Sequence, residues 1–235
     1  MLERTNLIKK IHESKYKLVY VSSGGGTNAV SSFLKVPGAS NTVLESYIPY
    51  SKKSMDIFLN KKPDHYCSLS TCLSMSANAY KKCMQIEQDI NTKYLIGVAV
   101  TASLATTYNK IGEHKFYIAI QTESYTKSIS CILEKGKRTR EEEEELITEY
   151  VLSLIAESCG IKKALPIHDE SIELQETKAR RSWKKLLNNK INFVSSDKST
   201  PELIFPGSFN PLHDGHLKMR ELAEKKTGMR ATFEI

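Results

Sequence analysis

His213 and His216 lie three residues apart in the run LIFPGSFNPLHDGHLKMRELA, from Leu203 to Ala223. Leu203, Ile204 and Phe205 predict a short apolar strand, which Pro206, Gly207, Asn210 and Pro211 then break. Leu212, Leu217, Met219, Leu222 and Ala223 follow at helical spacing, so both imidazoles are expected on one face of a helix's first turn. Such a turn carries unpaired N–H groups and a positive dipole end, which suit a phosphate. Gly207 and Gly215 allow close backbone approach, and Ser208 adds a hydroxyl donor. Two histidines at this spacing are, in isolation, more often surface residues; the length of the run is what points to a nucleotide.

The segments Gly-Ser-Phe-Asn-Pro (207–211), His-Asp-Gly-His-Leu (213–217) and Met-Arg-Glu-Leu-Ala (219–223) resemble the signature of the nucleotidylyltransferase superfamily, most closely its nicotinamide mononucleotide adenylyltransferases. The resemblance implies that Gly207, Ser208, Phe209, Asn210 and Gly215 bind ATP phosphates. It also implies that His213 and His216 are catalytic, stabilising charge as the mononucleotide's phosphate attacks the α-phosphorus, with Mg²⁺ assisting. Imidazoles suit this work, because phosphoryl-type transfer depends mainly on positioning and charge stabilisation. Residues 201–235 accommodate one strand, one helix and the start of a second strand at Ala231. A doubly wound nucleotide domain needs more βα units, and the resemblance implies further segments for adenine and a second phosphate signature. The expectation is either a piece of a longer product or a shortened relative that kept the motif.

A second constellation sits near the start. The apolar strand Leu18–Val21 leads into Ser22-Ser23-Gly24-Gly25-Gly26-Thr27, followed by a helix from Ala29 to Leu34. This order suits an anion-binding turn, although a glycine-rich connector without a ligand is equally compatible. With Val36-Pro-Gly-Ala-Ser40 and a strand from Val43 to Ile48, residues 5–160 resemble the CinA C-terminal family, whose bacterial members deamidate nicotinamide mononucleotide. Ser23 falls on the family's serine, Gly26 on one of its glycines and Thr101 on the threonine of its second loop. The departures are Gly24 and Gly25 for Cys and Thr, Thr27 for a glycine, Met55 for a lysine, and Ala102-Ser-Leu-Ala105 for the second loop's glycines. A serine nucleophile needs an adjacent base, and Lys52 or Lys53 would serve only in another helix register. The expectation is a kept fold and an anion site (Ser23, Gly24, Gly25, Gly26, Thr27, Thr101) with little or no deamidase activity.

The elements that must position these residues read as α/β. Residues 1–161 are expected to form a CinA-like α/β domain with a mostly parallel sheet, 162–200 a charged linker around Trp183, and 201–235 the start of a Rossmann-like nucleotidylyltransferase domain. Helices are expected over 2–14 and 68–90, and paired strands over 116–122 and 128–133. Thr139 is the expected N-cap of a long helix whose Glu141–Glu145 run reads as a solvated face. Arg138 or Arg140 lies where the CinA family places a basic residue near its site. The five cysteines (67, 72, 83, 131, 159) show no CxxC pairing, so neither a disulfide framework nor a metal site is expected. Cys72, Met75, Ala79 and Cys83 fit one apolar helix face; Cys67 and Cys72 beside His65 are the alternative reading, as nucleophile or ligand.

Composition bounds the rest. The chain has 235 residues, 40% hydrophobic content, a net charge of +7 and a mean hydropathy of −0.37. A basic balance favours anionic small molecules, nucleotides included, but the basic residues are scattered and form no nucleic-acid module. No apolar run approaches 18 residues, so no membrane span is expected, and the cytosol with access to the nucleus is the expected location. Three functions remain: adenylate transfer from ATP to nicotinamide mononucleotide through His213 and His216, CinA-like amide hydrolysis through Ser23 and Thr101, and noncatalytic nucleotide binding or regulation.

Overall fold

The computed structural model describes residues 2–108, 110–195, 201–209 and 211–234, which divide into two compact units, Met1–Asn188 and Asn189–Ile235. In the first unit, helix α1 (Leu2–His12) precedes strand β1 (Lys17–Ser23), helix α2 (Thr27–Lys35), strand β2 (Val43–Tyr47), helix α3 (Lys52–Leu59) and helix α4 (Leu69–Ile86). Strands β3 (Leu95–Ser103), β4 (His114–Gln121) and β5 (Tyr125–Leu133), helix α5 (Arg140–Ser158), strand β6 (Ile172–Lys178) and helix α6 (Arg181–Leu187) complete it.

The sheet order is β2-β1-β3-β4-β5-β6. β1 pairs in parallel with β2 and β3, while β3 to β6 form antiparallel neighbours. β1, β2, β3 and β5 therefore run one way and β4 and β6 the other, giving an α/β sheet whose strands mostly share a direction. Parallel strands need crossovers, supplied here by helices, whereas short connections suffice for β3-β4-β5.

Alternation along β1 divides the core. Leu18 and Tyr20 join the cluster containing Ile8, Phe33 and Ile155, from α1, α2 and α5, whereas Val19 and Val21 join Met55, Cys72, Met75, Ala79 and Cys83, from α3 and α4. Those cysteines are buried thiols raised by desolvation, Cys83 to about 12. Desolvation also raises the half-buried Cys67, so both thiols of the nucleophile alternative are held protonated.

Two expectations need correction. The stretch read as a linker contributes to the first unit: β6 pairs with β5 from Cys131 to Tyr125, and α6 is tied to the β4–β5 turn by Lys184 Nζ donating to Ser124 Oγ (3.1 Å) and Asn188 Nδ2 donating to Glu123 Oε1 (2.8 Å). β6 is an edge strand with six of its seven residues exposed, so backbone pairing holds it and no apolar pattern announces it. The Glu141–Glu145 run is not a uniformly solvated face either, because Glu143 is 0% exposed. Thr139 caps α5 as expected, its hydroxyl accepting from Glu142 N while Glu142 accepts from Thr139 N (2.7 Å).

In the second unit, β7 (Leu203–Pro206) and β8 (Ala231–Glu234) pair in parallel, joined by α7 (Asp214–Thr227). Phe205, Phe209 and Phe233 pack with ring centroids 4.5–5.5 Å apart, and Ala231 is the buried hydrophobic residue of this unit among the described residues.

Candidate functional site

The register of β1 with β3 places Ser23 beside Thr101, so the two loops read from the sequence are neighbours at adjacent strand ends. Their hydroxyls, however, are committed to carbonyls. Ser23 Oγ donates to Pro49 O (3.1 Å), and the buried Thr101 Oγ1 donates to Tyr66 O (3.0 Å). Ser51 caps α3 by accepting from Ser54 N, a register that turns Met55 into the core and leaves Lys52 and Lys53 exposed. The register in which one of those lysines replaces the missing base is therefore not the one adopted.

The glycines of the first turn serve packing. Gly24 has φ +79°, and a Cβ there would lie 2.0 Å from Ala102 O; at Gly25 it would meet Leu104 Cδ1 at 2.8 Å. The second loop's departure from glycine thus places Ala102 and Leu104 in the space beside the first turn. The Gly26 amide is also taken. Glu144 accepts from Gly26 N (2.6 Å) and from Thr27 Oγ1 (3.3 Å), acting as an internal anion at the start of α2. Glu143 accepts from Ala105 N (2.6 Å) and pairs with His114 Nδ1 (2.7 Å). The Tyr20 hydroxyl, raised well above its ordinary range by complete burial, donates to Gly26 O (2.6 Å) and fixes the turn from beneath.

Sequence reasoning missed Glu143, Glu144 and His114. A signal for Glu143 existed, because it precedes Ile147 by four and Val151 by eight and so extends the buried stripe of α5. Arg138, expected near an anion site, is instead paired with Glu170 (Nη2 to Oε2, 2.9 Å), which holds that carboxyl well below its usual range. Arg140 is nearer, with Nη1 on Ala105 O and Nη2 on Gly24 O, each at 3.1 Å.

In the second constellation α7 begins at Asp214, so His213 precedes the first turn expected for it while His216 lies within that turn. His213 is the N-cap of α7, and the His213 and His216 rings stack with centroids 3.7 Å apart and planes at 24°. His216 Nδ1 accepts weakly from His213 N (3.4 Å). A Cβ on Gly215 would come within 3.0 Å of the His213 ring, and one on Gly207 within 2.6 Å of the Phe209 ring, which in turn meets His216 edge-on at 5.0 Å. Glycine at both positions is thus what lets the rings fold over the helix start. Ser208 lies in the same loop, and Asn210 lies outside the described residues.

Among the described residues no group of three or more His, Cys, Asp or Glu is arranged to hold a metal ion, and no helix is long and apolar enough to cross a membrane.

No protein family and no curated protein matches the chain by sequence. Solved structures do match by fold. A competence/damage inducible protein from Agrobacterium tumefaciens superposes with a TM-score of 0.52 at 14% identity, over 66% of this chain and 95% of its own. One from Enterobacter asburiae gives 0.53 at 13% identity, over 66% and 98%, and a CinA superfamily protein from Enterobacter cloacae gives 0.52 at 14%, over 66% and 92%. A share of that size fits only the first unit. The first unit has a CinA-like fold. Within that unit, the β1–α2 turn and the loop after β3 lie at adjacent strand ends, and the groups that meet their Gly26 and Ala105 amides are the chain's own carboxylates.

Proposed function

We propose that the chain is a nucleotidylyltransferase-like protein of pyridine-nucleotide metabolism, in which the β7–loop–α7 segment binds ATP phosphates and His213 and His216 serve adenylate transfer to nicotinamide mononucleotide. The observation that carries this reading is the stacked imidazole pair at the N-terminus of α7, directly after the Gly207–Phe209 loop. The two imidazoles adjoin the start of the helix, an arrangement suited to charge that grows on phosphoryl oxygens during displacement. Each imidazole would donate a proton in a hydrogen bond, and ATP would bring Mg²⁺ to neutralise the remaining phosphate charge.

The test titrates Mg²⁺–ATP into the chain and follows by NMR the backbone amide resonances of the loop and first turn around Gly207 and Asp214–Leu217. Selective shifts that disappear in His213→Ala and His216→Ala support the site; shifts that persist in the double variant mean that ATP binding does not need the imidazoles. Where dinucleotide synthesis is measured, either substitution should lower turnover by orders of magnitude with smaller effects on binding.

The geometry of the CinA-like unit favours a second, noncatalytic role over amide hydrolysis. Ser23 donates to a carbonyl, Met55 is core, and Glu144 holds the Gly26 amide. Ammonia release from nicotinamide mononucleotide should be absent. Robust release abolished by Ser23→Ala would restore the hydrolase reading.

A further inference from the structure

At the strand ends of the CinA-like unit, on the side of β4 and β5, Ala105, Thr106, Thr107, Tyr108 and Lys110 face Lys135, Gly136, Thr139 and Arg140 across a cleft of about 660 Å³. Three cations on this cleft have no carboxylate. Lys110 Nζ donates to Ser103 Oγ and Leu104 O (2.8 Å each), and Lys135 Nζ to Lys110 O (2.9 Å) and Ile111 O (3.0 Å). Arg140 donates only to the Ala105 and Gly24 carbonyls. None of the three makes an ion pair among the described residues.

The anions nearby are already used. Glu143 is held by His114 and the Ala105 amide, and Glu170 by Arg138. Burial lowers the Lys110 ammonium; the Glu143 carboxylate offsets this in part without pairing with it, and Lys135 and Arg140 lower it further. Carbonyl dipoles orient these cations without neutralising them, so the charge is left for a ligand. The cleft also carries the hydroxyls of Thr106, Thr107 and Thr139, and Tyr108 is 69% exposed at its edge.

We propose that this cleft is a phosphate-binding site, taking the phosphate chain of a small phosphorylated molecule on Lys110, Lys135 and Arg140. It lies at the ends of β3 and β5, borders the first turn through the Arg140–Gly24 contact, and uses none of the groups proposed for adenylate transfer. Its volume falls within the range of small-molecule pockets. Lysines supply mobile point charges and the arginine a planar fork, a combination suited to several phosphoryl oxygens at once. Tyr108 offers a face on which a nucleobase can stack. Free polyphosphate and nucleoside polyphosphate share this chemistry and differ in their use of Tyr108.

The experiment uses the full chain carrying His213→Ala and His216→Ala, which removes the site proposed for adenylate transfer, and measures calorimetric binding of tripolyphosphate and of ATP. Saturable binding that weakens with salt, and by about tenfold or more in a Lys110→Gln/Lys135→Gln variant, is expected. Tighter binding of ATP than of tripolyphosphate identifies a nucleotide, and equal binding identifies the phosphate chain alone. Undetectable binding of both, or binding unchanged by the lysine substitutions, overturns the proposal. Should the lysine variant fold poorly, acetylation of the parent chain read by mass spectrometry decides: tripolyphosphate must protect Lys110 and Lys135 over other exposed lysines, and equal labelling with and without it refutes the site.

Discussion

The two units treat the start of a helix in opposite ways. In the CinA-like unit the amide entering α2 is met by Glu144 and the adjacent loop amide by Glu143, so the fold satisfies its own donors with internal anions. In the second unit α7 begins with His213 exposed and no buried residue along its length. A glycine-rich turn before a helix is thus not by itself a ligand site. What distinguishes the two is whether another element delivers a carboxylate, and α5 does so only in the first.

The largest expected effect tests the internal anions. Removing either partner of Glu143–His114 leaves a buried polar group unpaired, so Glu143→Ala and His114→Ala should each destabilise the first unit by roughly 3–5 kcal/mol in urea titrations. A loss under 1 kcal/mol would mean that these donors do not need their carboxylate. Two glycines sharpen the contrast next. Gly24 and Gly228 both have positive φ, but a Cβ meets Ala102 O at Gly24 and open space at Gly228. Gly24→Ala should therefore cost roughly 3 kcal/mol and Gly228→Ala about 1 kcal/mol, since only the first adds a clash to backbone strain. Equal costs would remove packing as the reason for glycine in the first turn.

A smaller effect concerns the ion pair that anchors the approach to β6. Arg138, aided by His168, depresses the Glu170 carboxyl, so its contribution is fully present above the ordinary carboxylate value of about 4.3 and is lost as pH falls towards the depressed folded value. Glu170→Gln should lower stability by roughly 2 kcal/mol at pH 7, with the gap to the parent narrowing below about pH 4. A pH-independent gap would assign the effect to packing. Smallest is Thr139→Ala, which removes the capping box and should cost about 1 kcal/mol, visible as faster hydrogen exchange in the first turn of α5.

Sequence periodicity alone specified the α/β plan, most helix and strand positions, the buried face of α4 and the Thr139 cap, because each is decided within a few residues by alternation, helical spacing or hydrogen-bond chemistry. The β7–loop–α7 segment was legible for the same reason: strand, breakers and helix start lie within about twenty residues, and glycines at 207 and 215 make room for rings two residues away. Strand β6 was not legible, since an exposed edge strand is held by backbone pairing to a partner more than forty residues earlier. Nor was the fate of the first turn. Gly26 and Glu144 are 118 residues apart, as are Thr27 and Glu144 by 117, and only the docking of α5 on α2 brings the carboxylate to the amide. The same docking carries Arg140 to Gly24 O, so the charges left over at the cleft, like those used at the turn, were decided by tertiary structure rather than by any local motif.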